Sequence, residues 1–403
     1  MTLKKKILFV INTLGRGGAE TALISLLNQI DYAKYNVDLL VLLGQGPLVS
    51  EIPHQVHLLN RKFDKEDVLT DLGRKKMTGT VIRTAFHHAS ILKNASYFLR
   101  NYQDQKKKHN VQKDKLLWRV ISDGTNAPET IYDTAIAFLE GGSTYYVADH
   151  VKASYKISFI HTDMIQAGYN RMLDLDCYQK IDEICCVSDQ AMQKFLILYP
   201  ELSFKTKIFH NILNTGRIDK LINEDQKYPD EPDYKGFRLL TLARLTAPKQ
   251  LEVSIKAASL LKQRGIDFHW YVYGEGEERE HLQEEIRNNQ VDDCFFLEGT
   301  VNNPYPLLKK ADLYVHCSRY EGRSVAIQEA MYLGKPVIVS DCSGNREQII
   351  DNQNGCLVSF DSQSIAQAVE NLLNDPKKRN ELGKNAAQRD FSGGDIEELL
   401  NHE

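Results

Sequence analysis

Residues 311–341, "ADLYVHCSRYEGRSVAIQEAMYLGKPVIVSD", contain the repeating unit of the fold in one stretch. A short apolar run typical of a buried strand, "ADLYVHC", is followed by a loop, a helical pattern and a second apolar run, "GKPVIVSD". We expect the helix to begin near Ser324 and to end at Gly334, with Pro336 as a stop beyond it. The order strand, helix, strand predicts a parallel β-α-β unit.

The same alternation occurs in two series along the chain. The first series contains "KILFVIN", "VDLLVLL", "YDTAIAFLE", "KISFIHT" and "EICCVS", and the second contains "FRLLTLAR", "DFHWYVYGEG" and "CFFLEGT" together with the two runs above. The polar stretch "TGRIDKLINEDQKYPDEPDYKG" separates them. We therefore predict two Rossmann-like, doubly wound α/β domains, residues 1–215 and 216–403, which face each other across a cleft. In such sheets ligands bind at the carboxyl ends of the strands.

Composition excludes several classes of protein. The chain has 403 residues and a net charge of −4, which does not indicate nucleic acid as a partner. Its seven cysteines form no C-x-x-C pair, so we expect small core residues in a reducing cytosol, without a disulfide framework or a zinc site. The N-terminal "KILFVIN" is too short for a secretory signal and predicts a buried first strand, and no apolar stretch is long enough to span a membrane.

Residues 61–120 break the pattern with 15 Lys and Arg against 6 Asp and Glu. One interpretation is a solvated helical insertion. The other is a surface for an anionic partner, such as a membrane leaflet or a lipid-linked phosphate, because each cation near an anionic membrane contributes about 1 kcal/mol to binding. The second interpretation predicts a protein at the inner face of the cell membrane.

The loop and helix of the opening stretch carry the strongest chemical signal. Glu321 lies in the loop and Glu329 lies eight residues later, and a carboxylate suits the two hydroxyls of a vicinal diol. The N–H groups of Ser324 and Val325, at the start of the helix, can hold a phosphate. "LARLTAPKQ" places Arg244 and Lys249 after the first strand of the second domain, where two cations suit a diphosphate.

Two glycine-rich turns carry less information. In "NTLGRGGAE", Gly17 and Gly18 allow a close backbone approach at the start of a helix, but the third position of a G-x-G-x-x-G pattern is Glu20. "YGEGEERE" also lacks the third glycine. Both turns therefore argue against a dinucleotide-dependent dehydrogenase and, taken alone, indicate only tight strand-to-helix connections.

The order "GGAE … HNILN … R-x4-K … E-x7-E" resembles the family 4 retaining glycosyltransferases of the GT-B fold. The resemblance implies that Glu321 contacts the hydroxyls of the donor sugar, that Glu329 binds the ribose, and that Arg244 and Lys249 neutralise the donor diphosphate. It also implies donor contacts at further positions: Gly17 and Gly18 near the sugar and phosphate, His161 near the transferred sugar, and Gly299, Thr300 and Val301 along the nucleobase.

The resemblance further implies the activity. It predicts a metal-independent, retaining hexosyltransferase that moves a sugar from a nucleotide diphosphate donor, in the first place a UDP-sugar, to a glycan or lipid-linked acceptor. The first domain binds the acceptor, the nucleotide-sugar is a co-substrate, and no cofactor is needed. Glu321, His161, Arg244 and Lys249 are the expected catalytic residues. The "DLD" at residues 174–176 is similar to a metal-binding D-x-D motif, but the surrounding helical pattern places it on the surface.

Some positions depart from the family pattern. Ala243 and Gln250 replace glycines that usually flank the arginine and lysine, and Arg323 and Ser324 replace a Phe-Gly pair, so that Arg323 adds a positive charge near the sugar. These departures leave open a non-catalytic GT-B subunit that supports an active partner. A sugar-nucleotide epimerase is disfavoured, because the extra carboxylates or histidines that it needs cannot be placed.

Overall fold

The computed structural model describes residues 3–107, 113–224, 228–229 and 234–402. The chain divides into two compact units. The first unit comprises Met1–Ile212 and Gly394–Glu403, and the second unit comprises Leu213–Gly393. Each unit contains one parallel sheet with helices, as the two series of strands predicted.

The first unit contains a seven-stranded parallel sheet in the order β3-β2-β1-β4-β5-β6-β7. Its strands are β1 (Lys5–Ile11), β2 (Tyr35–Val41), β3 (His57–Leu58), β4 (Tyr132–Ala137), β5 (Ala153–Ile160), β6 (Glu183–Cys186) and β7 (Thr206–Ile208). Its helices before the second unit are α1 (Gly18–Leu27), α2 (Asp71–Phe86), α3 (Ser90–Lys93), α4 (Ala95–Lys107), α5 (Lys113–Gly124), α6 (Gly142–His150), α7 (Arg171–Tyr178) and α8 (Asp189–Leu198). The last five residues of β1 are fully buried, because a central parallel strand is covered on both faces.

The second unit contains a six-stranded parallel sheet in the order β10-β9-β8-β11-β12-β13. Its strands are β8 (Phe237–Leu242), β9 (Phe268–Tyr273), β10 (Phe295–Gly299), β11 (Leu313–His316), β12 (Val337–Ser340) and β13 (Cys356–Val358). Its helices are α9 (Thr215–Leu221), α10 (Leu251–Gln263), α11 (Arg279–Asn288), α12 (Tyr305–Lys310), α13 (Val325–Tyr332), α14 (Ser343–Arg346), α15 (Ser362–Asn374) and α16 (Pro376–Ala387). Trp270 lies fully buried in its core together with apolar residues of β8, β11 and β12.

The C-terminal segment corrects the predicted domain boundaries. Helix α17 (Ile396–Asn401) was expected to belong to the second domain, but it packs in the first unit. Glu397 accepts hydrogen bonds from Lys34 Nζ and Tyr35 Oη, both at 3.1 Å, and Leu399 and Leu400 are buried. The physical reason is that this short helix buries its two leucines against the first unit and pairs its carboxylate with the start of β2.

The basic insertion is helical, as one interpretation predicted. Helices α2 to α5 account for most of residues 71–124, while residues 108–112, which include Lys108, lie outside the described part of the chain. Within the described residues, no helix is long and apolar enough to cross a lipid bilayer.

Most of the cysteines lie in the core, as the sequence predicted. All seven are free thiols, and all but Cys342 and Cys356 are buried. Burial raises the pKa of the Cys177 and Cys186 thiols, so these side chains stay protonated and serve as small apolar residues.

Candidate functional site

The strand order of the second sheet locates a site within the second unit. From β8 the chain adds strands toward one edge of the sheet, and from β11 it adds them toward the other edge; the loops that follow these two parallel strands carry Arg244, Lys249 and Glu321. The backbone N–H of Arg319 donates to the carbonyl of Pro248 at 2.9 Å, which joins the two loops directly. A switch point of this kind is where open α/β sheets bind ligands.

Glu321 is the centre of a buried cluster in these loops. Lys249 Nζ forms an ion pair with Glu321 Oε1. The same oxygen accepts hydrogen bonds from Ser318 Oγ at 2.6 Å and from His316 Nε2 at 2.7 Å. Three donors, two from the loops and one from the end of β11, therefore fix the orientation of a single carboxylate oxygen.

The cluster keeps this carboxylate ionised. Burial alone would raise the pKa of Glu321, but Lys249 and His316 outweigh it and hold the pKa well below its usual range. Burial lowers the pKa of His316 despite its acidic partner, so a neutral ring donates its Nε2 proton to Glu321. Its Nδ1 lies 3.1 Å from the Tyr314 hydroxyl. Lys249 is thus the cation that balances the charge.

Helix α13 begins as the sequence predicted. Ser324 is its N-cap and accepts the Ile327 N–H on its side chain at 3.5 Å, and Gly334 adopts a φ of +69° just past its end. The Gln348 amide lies against Ser324. Oriented with its oxygen toward the Ser324 N–H, it accepts that hydrogen at an N···O distance of 2.9 Å.

This contact engages one of the two predicted phosphate donors, and the phosphate contact itself remains a prediction. Since Gln348 engages the Ser324 N–H, the donors available in the first turn are those of Val325 and Ala326, which have no acceptor within the helix.

Glu329 lies within α13 and is held by a residue from another helix. It is only 7% exposed, and its Oε1 accepts a hydrogen bond from the Tyr305 hydroxyl at 3.0 Å. Arg217 Nη1 in turn donates to that hydroxyl at 2.5 Å. The carboxylate is therefore oriented before any ligand binds.

Gly344 allows a close approach to the Glu321 loop. A Cβ atom at this position would lie 2.4 Å from the carbonyl oxygen of Glu321 and 2.5 Å from that of Gly322. Any larger residue would push the loop away, so the backbone of residues 343–350, "SGNREQII", supports the Glu321 loop.

The loop after β8 shows why one departure from the family pattern is tolerated. Gln250, where the family usually has glycine, adopts a left-handed conformation with a φ of +45°. Its side chain offsets part of the strain, which is on the order of 1–2 kcal/mol, by donating to Ala247 O at 3.1 Å and accepting from Arg319 at 3.3 Å. The backbone geometry of the loop is thus kept without the glycine.

The remaining predicted residues of the second unit lie at the same edge of the sheet. Arg244 is exposed and forms no ion pair with the described residues. Gly299 ends β10 with a φ of +75°. Its carbonyl accepts the Gly274 N–H at 2.8 Å, so the stretch Gly299, Thr300 and Val301 begins beside the loop that follows β9.

Arg323 lies half-buried beside charged residues of the same unit. Burial lowers its guanidinium pKa, and Arg389 lowers it further, whereas Glu347 and Asp390 oppose both effects. The donor contacts predicted for Gly299 to Val301, Arg323 and Arg244 remain predictions.

In the first unit, the predicted residues also follow the ends of central strands. Gly17 is the N-cap of α1, which begins at Gly18, and His161 follows β5. Burial lowers the pKa of His161 to about 3, and its Nε2 is buried without a partner among the described residues. His161 is therefore neutral, and this nitrogen is a candidate for a ligand hydroxyl.

Sequence reasoning missed several residues that support these groups. His316 is the last residue of β11 and Ser318 follows it, both within five residues of Glu321, so their position was a usable signal. Tyr305 carries no such signal. In the first unit, buried Glu140 accepts the backbone N–H of His161 at 2.9 Å; burial raises the pKa of this carboxyl.

The D-x-D-like pair lies only in part on the surface: Asp176 is exposed, as expected, whereas Asp174 corrects the expectation. Asp174 is fully buried and accepts a hydrogen bond from Tyr199, and burial raises its pKa to about 7. Asp176 pairs with Arg119 at 2.7 Å. Asp176 thus links α7 to α5, and Asp174 links α7 to Tyr199 at the end of α8.

One group of side chains in the described residues has the spacing of metal ligands. Ligand atoms of Glu252, Glu278 and His281 lie within 4.8 Å of one another. Glu252 is in the first turn of α10 and Glu278 is the N-cap of α11, where the helix dipole favours an acid, and His281 already contacts Glu252 at 3.6 Å. The helix ends explain this cluster without a metal.

Comparison with known proteins matches this chain to glycosyltransferases. Residues 223–389 match the family model described as "Glycosyl transferases group 1". The chain is 32% identical over 152 residues to alpha-D-kanosaminyltransferase from Streptomyces kanamyceticus, covering 37% of this chain and 39% of that protein. It is 26% identical over 345 residues to the putative glycosyltransferase EpsF from Bacillus subtilis, covering 84% and 79%.

Among solved structures, HepE from Anabaena in complex with UDP is similar to this chain with a TM-score of 0.63 and 17% identity, over 95% of this chain and 93% of that one. This likeness confirms the predicted GT-B fold. The chain spans between 33% and 43% of the length of the first four curated relatives that it matches.

Proposed function

We propose that this chain, whose residues 223–389 belong to the Glycosyl transferases group 1 family, is a metal-independent, retaining glycosyltransferase. It moves a sugar from a nucleotide diphosphate donor, in the first place a UDP-sugar, to an acceptor hydroxyl. The second unit binds the donor, and the first unit binds the acceptor.

The observation that supports this proposal most strongly is the buried Lys249–Glu321 pair beside the start of α13. An ammonium has three N–H donors, so Lys249 can hold Glu321 ionised and still bind a diphosphate oxygen. The N–H groups of Val325 and Ala326 supply further donors to the same anion. Glu329, oriented by Tyr305, accepts from the ribose hydroxyls.

In the reaction, the acceptor oxygen attacks the anomeric carbon from the face that the diphosphate leaves. The bond between that carbon and the phosphate oxygen breaks, and its electron pair goes to the diphosphate. A diphosphate oxygen then takes the acceptor proton. Arg244, Lys249 and the helix N-terminus stabilise the departing charge, and each such donor is worth about 3–4 kcal/mol in comparable sites.

The state of Glu321 supports same-face attack over a double displacement. A covalent nucleophile needs a basic lone pair, whereas the contacts of Lys249, His316 and Ser318 to Glu321 Oε1 hold the pKa of this carboxyl well below its usual range and make the carboxylate a weak nucleophile. Glu321 instead accepts hydrogen bonds from the hydroxyls of the donor sugar, and neutral His161 contributes to orienting the same sugar.

The acceptor is a growing cell-surface glycan or a lipid-linked saccharide. The excess of cations in residues 61–120 supports this part of the proposal, because both kinds of acceptor are found at an anionic membrane. The protein would then work in the cytoplasm at the inner face of the cell membrane.

The test is thermal stabilisation by a panel of nucleotide diphosphate sugars, compared between the parent protein and Glu329→Ala. We expect one donor to raise the melting temperature of the parent, and the shift to be lost in the variant. Transfer of labelled sugar from that donor then distinguishes an enzyme from the non-catalytic subunit. If no donor shifts the melting temperature, the proposed function is wrong for the isolated chain.

A further inference from the structure

Helix α4 and the short helix α3 before it turn a polar face toward the protein and expose an apolar face to solvent, the reverse of the usual arrangement. Their inner face is polar: Ser90, Asn94 and Asn101 are all buried. Asn94 donates to Asp123 at 2.6 Å, and Ser90 donates to the carbonyl of Val120 at 2.5 Å, so this face is bonded to α5. The polar residues thus attach the helix to the protein.

The outer face is apolar. Leu92 is 76% exposed and Leu99 is 58% exposed, and Tyr102 is exposed three residues further on. Residues seven and ten apart lie on one side of a helix, and Phe98 N bonds to Asn94 O, which continues the helix across the junction of α3 and α4. We call Leu92, Leu99 and Tyr102 the outer stripe.

Cations accompany the outer stripe. Lys93, Arg100 and Lys106 are exposed on the same two helices. An apolar stripe with cations beside it is the pattern of helices that lie in the interface of a lipid bilayer. Exposed apolar side chains in such a row indicate a surface that is covered in use.

Charge decides which of two partners covers the outer stripe, a second copy of this chain or an anionic bilayer. A second copy of this chain would bring two segments with the same excess of cations together, which repel each other. An anionic bilayer attracts the cations and accepts the apolar side chains. We propose that the outer stripe inserts into the interface of an anionic bilayer, an inference that rests on the proposed function for its membrane-borne acceptor.

The experiment is flotation of the full chain with vesicles. Equimolar phosphatidylglycerol and phosphatidylcholine is compared with phosphatidylcholine alone. We expect the parent to float only with the anionic vesicles. Leu92→Glu with Leu99→Glu should weaken this binding about tenfold or more, and Lys93→Gln with Arg100→Gln should weaken it about thirtyfold.

A matched control makes the same change elsewhere in the first unit. Ile197 and Phe204 are 63% and 82% exposed, and replacing both by Glu should leave flotation unchanged. If the Leu92 and Leu99 variant floats like the parent, the inference is overturned. It is also overturned if the parent is a dimer by light scattering and that variant is a monomer, because the occupant is then a second copy.

Binding of UDP in solution separates this inference from the proposed function. A Leu92 and Leu99 variant that binds UDP like the parent, shows the same helix content and no longer floats supports the outer stripe as the lipid contact. If neither protein binds UDP while the parent still floats and the variant does not, the donor proposal fails and the lipid contact stands.

Discussion

Replacing Lys249 by Met should destabilise the second unit, because it leaves the Glu321 carboxylate buried without its cation. The two side chains are only 15% and 11% exposed, so solvent screens the pair weakly. Breaking a buried pair costs about 3–5 kcal/mol, and a hydrogen bond to a charged group about 1.5–3 kcal/mol. Since His316 and Ser318 still bond to Glu321, we expect a loss of about 2–3 kcal/mol.

The two tryptophans make the measurement specific. Trp118 is in the first unit and Trp270 is in the core of the second, so a Trp118→Phe background reports unfolding of the second unit alone. Urea unfolding is followed for the parent, Lys249→Met, Glu321→Gln and the double variant. The double variant should recover about 1–2 kcal/mol, because no unpaired charge remains.

The pH dependence of the folding stability provides an independent test. In the parent, the folded pKa of Glu321 lies below its unfolded value, so its contribution to stability is present above about pH 4.5 and is lost as the pH falls. In Lys249→Met the cation that opposes the effect of burial on Glu321 is gone, so the pKa of Glu321 in the folded protein rises. The difference in stability between the two proteins should therefore shrink from pH 7 to pH 4.

Exposed Lys256 of α10 provides the control, since Lys256→Met should change stability by less than about 0.5 kcal/mol. A Lys249→Met protein as stable as the parent at pH 7, with no coupling to Glu321→Gln, would refute the reasoning.

Three further outcomes are expected. Glu329→Ala should weaken UDP binding by about 2 kcal/mol in calorimetry, and Tyr305→Phe by less, because the first removes the acceptor and the second only its support; equal losses would contradict this order. Gly344→Ala should lower the Trp270 unfolding midpoint and transfer activity together, whereas Gly79→Ala, which has open space around it, should do neither. His161 has its pKa lowered to about 3 and stays neutral, so His161→Gln should lower kcat without changing the shape of the pH profile between pH 5 and 8; a lost ionisation in that range would contradict this.

Local patterns predicted a large part of the fold and of the site. The apolar runs gave the central strands of both sheets, and Ser324 and Gly334 bounded α13, because strand burial and helix caps depend on neighbouring residues. The pairs Glu321 and Glu329, and Arg244 and Lys249, could also be identified from the sequence, because their spacing is short and local.

Contacts between distant segments were not predictable in this way. The bond between Tyr305 and Glu329 joins two helices, and Glu397 of α17 reaches Lys34 and Tyr35 across more than 360 residues. Such contacts depend on which strands become neighbours and which faces of the helices meet, and periodicity specifies neither.

The outer stripe and the D-x-D-like pair show the same limit. A helical pattern states that Leu92 and Leu99 share a face, as Asn94 and Asn101 do, but not which face turns inward. Packing against α5 turned the polar face inward, and packing within the first unit likewise buried Asp174. The sequence alone therefore determined the two α/β domains, the helix caps and the spacing of the charged residues, because these depend on local chemistry. Only the tertiary structure decided what holds Glu321 ionised, where the C-terminal helix packs and which apolar face stays exposed, because each of these depends on the arrangement of segments that are distant in the chain.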